Sequence, residues 1–381
     1  MTTNIARVAT TPARPARVAR ASGGNRAMRW LSLLHRWTGA ITGALLGLLG
    51  ATGTLLVWRD DLTFVPHGAD PLSRDPALLA HAVNLIAAGP QTPTRMTFAS
   101  DGLGVHLVGF SKGTGAYVSQ SGEVVARWSS IAQRPELWLF DLHHRLLLGE
   151  TGETLNAIAG LFGLFFVISG TILWWRVRHH FHPRVWPAKM TPGAIVHHHR
   201  DLGLLTAPLL FLSMLTGVMM LLPSLTGVLL GSGPRARPPE VLRAHHLPAH
   251  PDFGPVFAAA RARFPDAEPR RLQWPRMPGA PLTLRLRQPF EWNPNGQTFV
   301  HFDPATLAVV GVTDPRSAGR GAGLREKLYP LHAGKVGGLA WKLATTLSGI
   351  AMTLLGSLAV YGFWKTRANI RAAARRKRLH R

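Results

Sequence analysis

Hydrophobic and polar positions alternate along this chain on two scales. On the long scale, four stretches carry no charged residue: Trp37–Trp58, Leu155–Trp175, Leu202–Leu222 and Leu343–Trp364, each 21 or 22 residues long. A helix needs about 20 apolar residues to cross a hydrocarbon core, and soluble helices rarely run so far without a charge. Each stretch ends in, or lies beside, tryptophan or basic residues, which anchor at membrane interfaces. The pattern predicts four membrane spans. On the short scale, the two long connections, about 59–142 and 223–331, carry one short helix each and then alternation of period two. The first predicts a helix over Pro76–Ala88 and strands over Met96–Ala99, Val105–Phe110, Ala116–Ser119 and Glu123–Trp128. The second predicts a helix over Phe253–Phe264 and strands over Arg270–Trp274, Leu282–Arg287, Thr298–Phe302 and Ala308–Val312. Gly, Ser and Asp turns separate the strands, so each connection reads as a small helix-plus-antiparallel-sheet module.

Composition supports the membrane reading. Charged residues make up 16% of the 381 positions, against about 25% in ordinary soluble domains, and hydrophobic residues 46%. The net charge of +24 is placed by topology. Twenty basic residues and no acidic ones lie in residues 1–36, 176–200 and 365–381. With four spans these three segments share one side, and the positive-inside rule makes that side the cytoplasm. The two modules are then outside. Nucleic-acid binding is not needed to explain the basicity. The Arg-rich start followed by an apolar run resembles a signal peptide, but the run is too long and Trp58-Arg59-Asp60-Asp61 offers no small-residue cleavage site, so an uncleaved first span is expected. The absence of cysteine excludes disulfides, thiolate zinc sites, iron–sulfur clusters and covalent c-type haem.

An internal repeat singles out four histidines. His35-Arg36 is followed by Gly39 and Thr52-Gly53, and His199-Arg200 by Gly203 and Thr216-Gly217, in the same register. Leu142-His143 is followed by Gly149, Gly160 and Trp175, and Leu331-His332 by Gly338, Gly349 and Trp364, again without a gap. The chain is thus two tandem halves, each a span, an outer module, a span and a cytoplasmic segment. His35 and His199 begin spans at the cytoplasmic face; His143 and His332 precede spans at the outer face. A pseudo-two-fold axis along the membrane normal brings each like pair together. Zinc usually takes four ligands, whereas haem supplies four nitrogens itself and needs two axial ligands, so paired histidines suit non-covalent b-type haem. With both axial positions filled, electron transfer is favoured over oxygen chemistry. Two haems, one near each face, make a route through the roughly 30 Å core. His144 and His198 are neighbours that substitute if the register is off by one. Phe162, Phe165, Phe166, Trp174 and Trp175 are read as lipid-facing, with pocket lining as the alternative. His179, His180, His182 and His197 are read as solvated loop residues, and His106 and His301, on predicted strands, as surface or core residues. Neither module shows a nucleophile–base pair, a Gly-rich phosphate loop or clustered carboxylates.

At these residues the sequence resembles the PepSY-associated transmembrane family, the iron-regulated membrane proteins. The resembling segments are Leu34-His35-Arg36-Trp37-Thr38-Gly39, Leu142-His143-His144-Arg145-Leu146-Leu147-Leu148-Gly149, Ser169-Gly170-Thr171-Ile172-Leu173-Trp174-Trp175-Arg176 and Leu331-His332-Ala333-Gly334. Val300 to Gly311 looks like the strand-turn-strand ending of a PepSY module. Leu307 stands where that turn usually has glycine, and Tyr361-Gly362-Phe363-Trp364 departs from paired tryptophans. The resemblance implies a multi-pass protein of the bacterial inner membrane with both termini cytoplasmic, mainly α, with a four-helix transmembrane bundle and two α+β PepSY-like periplasmic modules. Its expected divisions are a disordered basic tail over 1–28, a span over 29–58, module 1 over 59–135, a His segment and span over 136–176, and a cytoplasmic loop over 177–198. The second half follows with a span over 199–230, module 2 over 231–328, a His segment and span over 329–364, and a basic tail over 365–381. Some members look like haem-dependent ferric-siderophore reductases, an oxidoreductase activity. The resemblance therefore implies electrons passing from a cytoplasmic donor, such as a reduced flavin or flavoprotein, to a periplasmic ferric siderophore or other ferric chelate. The competing expectation is a non-enzymatic membrane protein whose PepSY-like modules bind or regulate an envelope protease or other partner. A transporter is less favoured, because the spans carry no interior charged residue to mark a path.

Overall fold

The computed structural model describes residues 23–233, 238–241 and 251–379. The N-terminal part of the expected tail, 1–22, lies outside the described residues. In chain order the helices are α1 (Gly23–Val57), α2 (Pro76–Ala87), α3 (Pro135–Arg145), α4 (Gly149–Trp175), α5 (Pro192–Leu221), α6 (Pro223–Leu230), α7 (Gly254–Arg263), α8 (Arg320–His332) and α9 (Gly338–Leu379). The strands are β1 (Arg95–Thr97), β2 (His106–Gly109), β3 (Gly115–Val118), β4 (Val124–Trp128), β5 (Glu268–Gln273), β6 (Leu282–Arg287), β7 (Thr298–Phe302) and β8 (Val309–Thr313). Both predicted helices and all eight predicted strands form within one or two residues of their expected limits.

Four helices, α1, α4, α5 and α9, are long and apolar enough to cross a membrane. They close into a ring in which α1 touches α4 and α9, and α5 touches α4 and α9. Hydroxyls inside them are satisfied locally: Thr38, Thr52, Thr206 and Thr353 each donate to the carbonyl four residues back. In an apolar medium this removes the cost of an unpaired donor. Glycine sets the α1–α9 spacing. A Cβ at Gly50 would lie 2.7 Å from the Gly349 carbonyl oxygen and 2.9 Å from the Thr353 nitrogen. At the far end of α5, buried Asp201 accepts from Arg200 Nε at 2.7 Å and Arg184 Nη1 at 3.2 Å. Arg200 Nη2 also donates to the His180 carbonyl at 2.6 Å, so this carboxylate organises the 176–191 connection. Asp201→Asn should lower stability by about 2 kcal/mol, less than a fully buried pair because Arg184 is more than a third exposed. Thermal unfolding in detergent measures this.

The two modules do not stand apart as the strand pattern suggested. Their strands form one antiparallel sheet in the order β4-β3-β2-β1-β5-β6-β7-β8. The seam pairs Arg95 with Gln273, Met96 with Leu272 and Thr97 with Arg271. Each four-stranded set on its own would present a bare edge, whose amides and carbonyls need partners, and the two edges supply them to each other. One face is apolar. Met96, Val108, Leu272, Leu284 and Phe302 pack there under Ala82 and Val83 of α2 and Phe257 of α7. The β7–β8 hairpin is held by Asp303 Oδ1, which accepts from the amides of Ala305 and Thr306. Leu307 takes φ 56° in that turn. The left-handed conformation costs a non-glycine residue about 1–2 kcal/mol, offset in part by packing of Leu307 against the core.

Both helices that precede a second span are separate pieces. After α3 the chain breaks through Leu146 at φ 51°, Leu147 at φ 60° and Gly149 at φ 60°. After α8 it breaks through Gly334 at φ 67°, Gly337 at φ 70° and Gly338 at φ 61°. These left-handed turns fold α3 against α1 and α8 against α5. Asn156 Nδ2 fastens the first break by donating to the His143 carbonyl at 2.6 Å, and Trp341 Nε1 fastens the second by donating to the Leu331 carbonyl at 2.9 Å.

Candidate functional site

The four histidines singled out by the repeat meet as two pairs. His35 on α1 faces His199 on α5, with ring centroids 6.2 Å apart. His143 on α3 faces His332 on α8, also with ring centroids 6.2 Å apart. The second pair lies between the bundle and the sheet; the first lies toward the far ends of α1 and α5.

Three of the rings have a fixed tautomer. Ser169 Oγ spends its proton on the Phe165 carbonyl at 2.6 Å and is 2.8 Å from His35 Nδ1, so Nδ1–H is the donor. Thr52 Oγ1 spends its proton on the Leu48 carbonyl and accepts from His143 Nδ1–H at 2.9 Å. His332 Nδ1–H donates to the Ser213 carbonyl at 3.0 Å, with Thr216 Oγ1 at 3.2 Å. In each case the proton on Nδ1 leaves the lone pair on Nε2, the usual arrangement of a metal-binding imidazole held by its other nitrogen. His199 differs: among the described residues no side-chain hydroxyl holds its buried Nδ1, and the Leu355 backbone is the polar group beside the ring. Leu358 occupies the place in the second half that Ser169 holds in the first.

Burial pushes His143 down to about 3, with His332 and His144 adding to the effect, and burial likewise lowers His332. Both are therefore neutral at pH 7, as coordination requires. Glycines make room beside the rings. A Cβ at Gly53 would lie 3.0 Å from His143 Cε1, and one at Gly217 would lie 3.1 Å from His332 Cε1. Phe166 meets His35 edge-on at 5.3 Å and Phe165 lies at 6.5 Å. These two phenylalanines border the far pair rather than only facing lipid, a difference that sequence position on a span could not reveal.

The neighbouring histidines are placed otherwise. His144 stacks on Phe140 at 5.6 Å and lies 4.0 Å from Glu153 Oε1. His198 is fully buried with neither ring nitrogen bonded among the described residues. His106 accepts from the Ala99 amide at 2.9 Å inside the sheet, and His301 bonds Thr283 at 3.0 Å; both are core residues.

A cavity of about 590 Å³ opens from the sheet-side pair, within the usual range of small-molecule sites. His143, His332, Gly53 and Gly217 line its bundle end, and Phe98, Arg270 and Arg287 its sheet end.

The donor set fits a metal that brings other ligands with it. Among the described residues, no group of three or more His, Asp or Glu side chains is placed to hold a bare ion. A first-row metal sits about 2.0–2.1 Å from an imidazole nitrogen, and the ring centre lies about 1.1 Å behind that nitrogen, so two rings gripping one metal from opposite sides have centroids about 6.3 Å apart. Both pairs stand at 6.2 Å. Haem iron, with four porphyrin nitrogens in its plane, is the common group that asks for two such ligands.

Residues 32–366 match the family described as the PepSY-associated TM region. None of the curated proteins compared with the chain matches it.

Proposed function

The chain belongs to the PepSY-associated transmembrane family, and from that premise we propose that it is a b-type haem protein of the bacterial inner membrane, carrying electrons from cytoplasm to periplasm to reduce a ferric siderophore or other ferric chelate. The observation that carries this reading is the equal 6.2 Å spacing of two histidine pairs drawn from matched positions of the two halves. The two halves are related as a tandem repeat about an axis along the membrane normal, and the sheet is periplasmic, with both termini cytoplasmic.

A haem at each pair supplies one-electron chemistry. His35 and His199 would hold one iron, and His143 and His332 the other. Ser169, Thr52 and Ser213 hold three of the rings through Nδ1, which fixes the orientation in which those imidazoles would meet a bound iron. A haem held by two histidines would supply electron transfer rather than oxygen chemistry. The donor would be a cytoplasmic reduced flavin or flavoprotein.

The test is a reduced-minus-oxidised spectrum of protein purified from haem-replete cells, with haem quantified per chain. A low-spin b-type spectrum and about two haems per chain are expected from the two bis-histidine pairs. Colourless, folded protein from such cells removes the proposal and leaves the modules' binding of an envelope partner as the function to pursue.

A further inference from the structure

The cavity above the His143/His332 pair ends against a basic ceiling. Arg59, Arg270, Arg287 and Lys335 line it, with Asp60 and Asp101 as the acidic residues among its lining. Asp60 is already engaged, accepting from Lys335 Nζ at 2.6 Å and lying 3.7 Å from Arg59 Nε. Arg270 is largely buried, yet its Nε has no hydrogen-bond partner among the described residues and its Nη1 comes only within 4.0 Å of Glu268. Arg287 Nε reaches the Glu291 carbonyl at a long 3.4 Å. Behind this ceiling Arg271 is pressed down to about 10 by burial, with Arg285, Arg95 and Arg59 adding repulsion. Like charges packed into a low-dielectric wall raise the energy of the empty cavity and attract an anion.

We propose that the sheet end of this cavity is an anion site for a carboxylate-rich ferric chelate held by Arg270 and Arg287, the bundle end between His143 and His332 being the space a haem would take. The assignment rests on the redox reading above for its purpose, while the binding itself does not require haem. Two guanidinium forks suit bidentate carboxylate recognition, and a neutral or cationic hydroxamate chelate would gain nothing from them. The same carboxylate chemistry is also carried by the two propionates of a porphyrin, so the experiment must separate the two sources.

The probe is gallium(III) citrate, a redox-inert stand-in, titrated by calorimetry into the purified full-length protein, with gallium desferrioxamine as comparison. Expected is at least about tenfold tighter binding of the citrate complex, falling steeply as salt screens the site. Arg270→Gln and Arg287→Gln should each weaken citrate binding about tenfold, the loss of one charge-assisted contact, and Arg270→Lys should restore part of it. Arg287→Gln keeps the test open if Arg270→Gln does not fold. Absence of citrate binding, or equal binding of both complexes, overturns the proposal. So does loss of haem in the arginine variants with citrate binding unchanged, which would assign the arginines to porphyrin carboxylates. Colourless protein that binds gallium citrate refutes the redox reading alone, and haem-loaded protein that ignores it refutes this proposal alone.

Discussion

On the proposed haem assignment, replacing His143 with alanine should remove one haem of two while the far pair keeps its own, and His35→Ala should do the reverse. The two sites share no side chain, so the losses add: the double variant should be colourless. One imidazole alone leaves its iron a ligand short. Dissociation of the porphyrin should then rise by about tenfold or more, since one lost metal-ligand interaction exceeds 1.4 kcal/mol. The experiment reads haem per chain and the optical spectrum of each variant at equal protein. His144→Ala is the control. That ring stacks on Phe140 and does not face His332, so its haem content should stay at the parent value. Retention of two haems by the His35/His143 double variant would exclude both pairs as ligands.

Gly349→Leu is expected to be among the most damaging single changes in the bundle. A Cβ there runs into Thr54 Oγ1 and lies 2.9 Å from the Gly50 carbonyl oxygen. The obstacle includes backbone on an adjacent helix, which cannot rotate away as a side-chain tip can. Overpacking usually costs about 1–3 kcal/mol; here α1 and α9 must separate along their length, so the upper end or outright misassembly follows. Gly39→Ala is the matched control, because its Cβ would meet Phe166 at an ordinary 3.9 Å. Size-exclusion profiles and thermal midpoints in detergent should show Gly349→Leu aggregated or strongly destabilised and Gly39→Ala close to the parent. Equal stability of the two would mean that the α1–α9 contact yields to a side chain at Gly349.

Much of this was legible in the chain itself. The spans follow from charge-free runs, and the strands from alternation bounded by Gly, Ser and Asp. The histidine pairing was readable because a gap-free repeat places like residues at like depths, so symmetry did the work of a contact map. What stayed hidden depends on contacts between residues far apart in sequence. The seam between β1 and β5 joins residues about 175 positions apart, and nothing local in Arg95-Met96-Thr97 names its partner. The ring-holding role of Ser169 and Thr52 was equally invisible. Both belong to segments marked by sequence pattern, yet a hydroxyl on a span usually serves only its own helix. Gly149 marks the break before the second span, but the left-handed turns at Leu146 and Leu147 that end α3 carry no such signal, so where α3 stops was not legible. The arginines of the sheet's inner face were absorbed into a net charge that topology mostly explains.

The shared sheet also constrains how the molecule is made. Strand β1 finishes early in synthesis, but its partner β5 lies beyond α4, the far connection and α5. Until the second half has been synthesised, the first half presents an unpaired β1 edge, the kind of surface that recruits stray strands. A polypeptide truncated after α5 would keep that edge permanently, so half-length products should be adhesive and prone to proteolytic clearance rather than persist as a free-standing four-stranded unit.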